Sequence, residues 1–389
     1  MAKRIFKLPG IQDLSKDQED ARALPKSGRH LIIGGPGTGK SVLALLRSRR
    51  HHKDKEGYVF LVYNKLLNQA SRQLFGAKLE SQQWQSWFMR NYREITGEPI
   101  PLQPSQPGRT WQDIDWVGVL DAITKLEEQL PAQDFPYLVI DEGQDMPPQF
   151  YQALLNLGFE EFYVVADQNQ QIEPDKNSTR QEIQNVLAID PNDLIELQHN
   201  YRNTYSIARL AREFYTGDPA SPPPDLPKSK HSAKRPLLFE YNNNQFQPMI
   251  KRILKMADLN PNRLIGVITP NNKVRRRYFD ALKISDVQLD NERPRIETYQ
   301  SGKDAELLFD EGGIMVINAQ SCKGLEFDTV FLADINEHYL NSSMPDQKKR
   351  LFYVMVARAI DSVIMLKEAD KHCPVEAILP KDPDVLERK

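Results

Sequence analysis

Residues 34–41 read Gly34-Gly35-Pro36-Gly37-Thr38-Gly39-Lys40-Ser41, and no other stretch narrows the possible folds so sharply. The apolar run Leu31-Ile32-Ile33 enters it as a short buried strand. Val42 to Leu46 leave it as an apolar helix with a basic outer turn of Arg47, Arg49 and Arg50. Glycines let the backbone curl so that successive N–H groups point inward at the positive end of a helix, where an anion is stabilised. Strand, glycine loop and helix in that order make a phosphate cradle. Gly35, Pro36, Gly37, Thr38 and Gly39 line it, Lys40 reaches the outer phosphates and Ser41 holds Mg²⁺. The expected ligand is a nucleoside triphosphate with Mg²⁺, and the expected fold class is α/β.

At 389 residues the chain has room for two or three domains of ordinary size. Its 51 Lys and Arg nearly balance 53 Asp and Glu, for a net charge of −2, so no global basic field marks a nucleic-acid binder and only a local basic groove is open to it. The two cysteines, Cys322 and Cys373, are too few for a disulfide framework and lack zinc-ligand spacing, which fits a reducing, cytoplasmic compartment. No apolar run reaches the ~20 residues of a membrane span. The start Met1-Ala2-Lys3-Arg4-Ile5-Phe6 also lacks the apolar centre of a signal peptide. A soluble, intracellular protein with no membrane partner is expected.

Short β-branched runs alternate with amphipathic stretches along the chain, the pattern of parallel strands covered by helices. Strands are expected at 31–33, 58–62, 137–140, 162–166 and 194–197, then at 237–240, 264–269, 314–317, 329–333 and 362–366. Two such series imply two α/β lobes, 1–195 and 196–389, each a mostly parallel sheet flanked by helices. Two proline-rich interruptions, 98–108 and 218–236, fix too many φ angles and lack too many donors to continue regular structure. Both read as surface loops, and the stretch near 68–136 has room for a small helical insert.

A second chemical element is Tyr137-Leu138-Val139-Ile140-Asp141-Glu142-Gly143-Gln144-Asp145. Its apolar strand delivers two adjacent carboxylates to the carboxyl end of a sheet, where open α/β folds bind ligands. Asp141 is expected to hold the Mg²⁺ shell, and Glu142 to polarise the attacking water as general base.

With these two elements in place, nearly the whole chain resembles the UvrD/Rep-like superfamily 1 helicases. Leu14-Ser15-Lys16-Asp17-Gln18 is similar to that family's adenine-reading motif, with Gln18 at the base-reading position. Phe60 to Leu67 resemble its first nucleic-acid-facing motif, Trp84 to Phe88 sit where a second falls, and Asp141 to Asp145 match its Asp-Glu-x-Gln-Asp box. Val164 to Ile172 resemble the coupling motif, with Gln170 at the glutamine that senses the γ-phosphate. Gln198-His199-Asn200-Tyr201-Arg202, Lys323-Gly324-Leu325-Glu326-Phe327 and Tyr353-Val354-Met355-Val356-Ala357-Arg358-Ala359 complete the set. The resemblance implies two RecA-like lobes with ATP hydrolysed between them. It also implies Arg202 and Arg358 as arginine fingers and Glu326 near the ribose. Two positions depart from the family, with Gln320 in place of the usual His and Ala357 in place of Thr. The gap at 269–313 is too short for the family's large second-lobe insertion.

Such a chain is expected to translocate on single-stranded DNA or RNA. An alternative is a nucleic-acid-sensing ATPase subunit that regulates a partner such as a nuclease. Grooves for single strands combine basic groups with aromatics on which bases stack, at ~1–3 kcal/mol per base. Tyr63, Asn64, Trp87, Arg275 and Lys323 are the candidates, and a place in the core is the competing reading for each aromatic.

Overall fold

The structure is a computed structural model. It describes residues 14–63, 68, 69, 73, 81–105, 112–126, 134–167, 170, 177–217, 222–228, 234–299, 307–341 and 343–389. Two all-parallel sheets organise the chain. The first holds β1 (Arg29–Gly34), β2 (Tyr58–Val62), β3 (Ser81–Gln83), β4 (Tyr137–Ile140), β5 (Phe162–Ala166) and β6 (Leu194–Leu197) in the order β3-β2-β4-β5-β1-β6. The second holds β7 (Leu237–Tyr241), β8 (Leu264–Thr269), β9 (Ile296–Thr298), β10 (Gly313–Asn318), β11 (Phe327–Leu332), β12 (Ala359–Glu368) and β13 (Glu387–Arg388) in the order β13-β7-β12-β11-β8-β10-β9.

Each sheet is buried on both faces, and the period-two geometry of a strand explains how. Along β4 and β5, Leu138, Ile140, Phe162 and Val164 point to one side. There they pack under the helices α3 (Trp84–Thr96), α4 (Trp116–Leu126), α5 (Pro148–Asn156) and α6 (Arg180–Val186). Tyr137, Val139, Tyr163 and Val165 point to the other side, against α1 (Lys16–Ala23) and α2 (Lys40–Asp54). In the second lobe, α7 (Tyr205–Glu213) and α10 (Pro345–Val356) cover one face, while α8 (Asn243–Leu259) and α9 (Asn272–Ile284) cover the other.

β6 still belongs to the first sheet and α7 already packs on the second. The chain therefore crosses between lobes over residues 198–204, just beyond the expected boundary at 195. The insert between β2 and β4 contributes α3 and α4 to the first core.

The proline-rich stretch after α7 is more than a surface loop. Within it Asp225 donates its backbone N–H to Gln198 O at 2.6 Å and forms a parallel bridge with His199, extending the free edge of the first sheet. Pro224 lies directly over Gly35. A run of prolines resists regular structure, yet its fixed φ suits an extended strap pressed on a neighbour.

Candidate functional site

The phosphate loop starts where β1 ends and runs into the first turn of α2. Gly37 and Gly39 take φ of 77° and 91°, left-handed values that a side chain resists. A Cβ on Gly37 would meet Asn200 Oδ1 at 2.2 Å, and one on Gly35 would meet Pro224 Cδ at 2.4 Å, so the loop is approached closely from outside. Gly35, Pro36 and Thr38 are buried, and the Thr38 hydroxyl donates to Gly35 O at 2.8 Å. Lys40 Nζ donates to Gly34 O at 2.6 Å and Gly35 O at 2.8 Å and lies 3.6 Å from Asp167. Burial pulls the Lys40 ammonium below its usual pKa, against the carboxylates of Asp167 and Glu142. Gln18 closes a capping box with Ser15 at the start of α1 and donates to Thr38 O at 2.8 Å, which fastens the loop from behind.

Carboxylates gather at the end of β4. Asp141 is buried, accepts the Glu142 N–H at 2.9 Å and shares a hydrogen bond with the Ser41 hydroxyl. Burial pushes Asp141 up to about 7, and the adjacent Glu142 charge acts the same way. For Glu142 burial also acts upward, but Lys323, Lys40 and Arg358 outweigh it and hold that carboxylate below its ordinary value. Two neighbouring acids are thus driven apart, the pattern that separates acid–base roles. Glu142 sits at φ 55°, a strained backbone for a residue with a side chain, and Gln144 Nε2 donates to its Oε2 at 2.7 Å.

The second lobe reaches into this cluster. Arg358, 1% exposed, donates to Gln170 Oε1 at 3.0 Å, and Gln170 Nε2 donates to Asp167 Oδ2 at 2.6 Å. Lys323, 2% exposed, donates to Asp145 Oδ1 at 2.6 Å and to Gln170 O at 2.7 Å. Gln170 therefore touches both lobes at once. From the crossing segment, Tyr201 donates its N–H to Gly37 O at 2.8 Å, while Asn203 Nδ2 donates to Ala359 O at 2.5 Å. Arg202 and Glu326, both expected beside the nucleotide, form an ion pair with each other. Apart from that pair, four carboxylates (Asp141, Glu142, Asp145, Asp167) face three cations (Lys40, Lys323, Arg358). The Asp141 carboxylate and Ser41 hydroxyl offer oxygens to a divalent cation, and the glycine cradle with Lys40 fits the phosphates that it would accompany.

The residues expected to touch nucleic acid scatter. Tyr63 is half-buried at the end of β2, and Asn64 lies outside the described residues. Trp87 is 2% exposed in the first core, its ring centroid 5.6 Å from that of Phe159, and offers a base no face in this arrangement. Arg275 is buried, with Nη1 donating to Thr298 Oγ1 at 2.6 Å, and Lys323 belongs to the cleft between the lobes. Sequence reasoning did not single out Asp145, Asp167, Tyr201 or Pro224. Asp145 and Asp167 stood inside the quoted motifs. The place of Pro224 had no local signal, because it depends on a contact between residues far apart in the chain.

Residues 313–366 match the family model described as the UvrD-like helicase C-terminal domain. Among curated proteins none matches the chain. Solved structures similar to it include the following two. One is the C-terminal domain of a possible DNA helicase from Lactobacillus plantarum WCFS1, at 16% identity and a TM-score of 0.34, covering 48% of this chain and 98% of that one. The other is the PRRSV helicase, at 14% identity and a TM-score of 0.39, covering 90% of this chain and 55% of that one, so the match spans about half of the viral protein. At these TM-scores neither superposition enters the argument. The matched segment contains both the Lys-Gly-Leu-Glu-Phe element and Arg358, so the second lobe is similar over that segment to the UvrD-like helicase C-terminal domain.

Proposed function

We propose that this chain is an ATP-dependent translocase on single-stranded nucleic acid that hydrolyses ATP between its two lobes. The observation that carries the reading is Gln170, which hydrogen-bonds Asp167 beside Lys40 on one side and Arg358 of the second lobe on the other. Bound ATP·Mg²⁺ supplies the phosphoanhydride whose hydrolysis drives the cycle. Ser41 and Asp141 hold the cation, and Lys40 leaves the carbonyls of Gly34 and Gly35 to neutralise phosphate charge. Glu142, kept ionised by three cations, takes the proton of the attacking water. Arg202 exchanges Glu326 for phosphate, and with Arg358 it makes hydrolysis depend on a closed cleft. Gln18 and the ring of Tyr201, 54% exposed beside the loop, hold the base.

The test is ATPase activity of the purified chain with and without single-stranded oligonucleotides, together with displacement of a protein block from one strand. Single strands should stimulate turnover several-fold, less at higher salt as phosphate contacts are screened, and the block should be displaced. Stimulation without displacement would point to a sensing ATPase. Turnover indifferent to nucleic acid at low salt would end the translocase reading.

A further inference from the structure

Tyr353 stands on α10, five residues before Arg358, with its ring packed among the second-lobe core and 2% exposed. Its hydroxyl has no hydrogen-bond partner among the described residues. That hydroxyl lies 3.3 Å from the point where a Gly35 side chain would begin, so it faces the phosphate loop from the other lobe. Burial drives the phenol well above its usual range, with the Asp167 carboxylate pushing the same way and Arg358 opposing, so the group stays protonated and is a donor. A phenylalanine would fill the same space without burying an unpaired hydroxyl, and proteins rarely bury one that has no partner. The hydroxyl adds only one thing that the ring does not, a hydrogen bond to something the described residues do not provide.

We infer that the Tyr353 hydroxyl is a third donor to the terminal phosphate region of ATP, beside Arg202 and Arg358. The inference rests on ATP being the ligand of the cleft and adds a residue that distinguishes ATP from ADP. As the cleft closes, α10 carries Tyr353, and Arg358 just beyond its end, toward the loop together, so the hydroxyl finds its acceptor only when a third phosphate is present.

Tyr353→Phe separates this role from a structural one. Equilibrium affinities for a non-hydrolysable ATP analogue and for ADP are measured for both proteins, along with thermal unfolding without nucleotide. The analogue should bind about tenfold more weakly to the variant, as for loss of one hydrogen bond to a charged group. ADP affinity should stay within about twofold, and the nucleotide-free unfolding temperature should hold or rise, because an unpaired buried hydroxyl has gone. Unchanged affinity for both nucleotides overturns the inference. So does a parallel loss for both with a lower unfolding temperature, the mark of a packing role. A wild-type protein that binds neither nucleotide overturns the ATP reading and this inference with it, whereas wild-type discrimination retained in full by the variant overturns the inference alone.

Discussion

Glu142 shows what one residue must tolerate to be useful. Its backbone is left-handed at φ 55°, its carboxylate is 5% exposed, and three cations keep it charged where burial would neutralise it. Replacing it with Gln preserves shape and removes the base, so Glu142→Gln should keep ATP binding while turnover falls by ~10²–10⁴. Lys40→Ala should instead weaken binding itself, since phosphate charge loses its nearest counterion. Nucleotide titration and steady-state turnover on both variants check this, and normal turnover in Glu142→Gln would remove the assigned base. The grouping of Lys40, Asp141 and Glu142 at strand ends was legible in the sequence, because a glycine loop and an acidic pair each follow an apolar strand, while their chemical roles belong to the proposal. Trp87, Arg275 and Lys323 were harder to place. Whether an aromatic or a cation faces solvent or the interior depends on the packing of distant segments, and their own neighbours in sequence do not encode it.

At the scale of elements, the buried central strands announced themselves. β2, β4, β5 and β8 fall on the expected residues, because each is an apolar run bounded by turn signals, and so does β6 at the sheet edge, where Leu194, Ile195 and Leu197 flank Glu196. The strands that escaped, β3, β9 and β13, are each three residues or fewer and lie at sheet edges, where pairing on one side demands little of the sequence. The proline strap escaped for a related reason, since its structure comes from what it leans on. Gly35→Ala tests that contact. The added methyl would meet Pro224 Cδ at 2.4 Å, too close to be absorbed without movement, so the strap should lift. Hydrogen exchange at the Asp225 amide, bonded to Gln198 O in the docked strap, should quicken in the variant. Exchange unchanged from wild type would mean that the loop yields and the strap stays.

For the whole molecule, two lobes meet through few but heavily buried polar ties. Lys323 and Asp145 are 2% and 5% exposed, so Lys323→Ala would leave a buried carboxylate without its partner and destabilise the closed arrangement by about 3–5 kcal/mol. Both native cysteines are buried, so a dye pair on cysteines introduced at the surface of each lobe can report their separation. The distance should lengthen in Lys323→Ala without nucleotide and shorten again with an ATP analogue, and a distance indifferent to both would separate this pair from closure. The segment that crosses between lobes carries a larger consequence. Residues 198–204 are at once the covalent pivot and, through Asn200, Tyr201 and Arg202, a wall of the phosphate loop. Under the proposed ATP-driven closure, displacement between the lobes grows with distance from that segment. On that closure, the hydrogen bonds that join Gln73 to Leu307 and Phe309 across the lobes must break or move with the lobes.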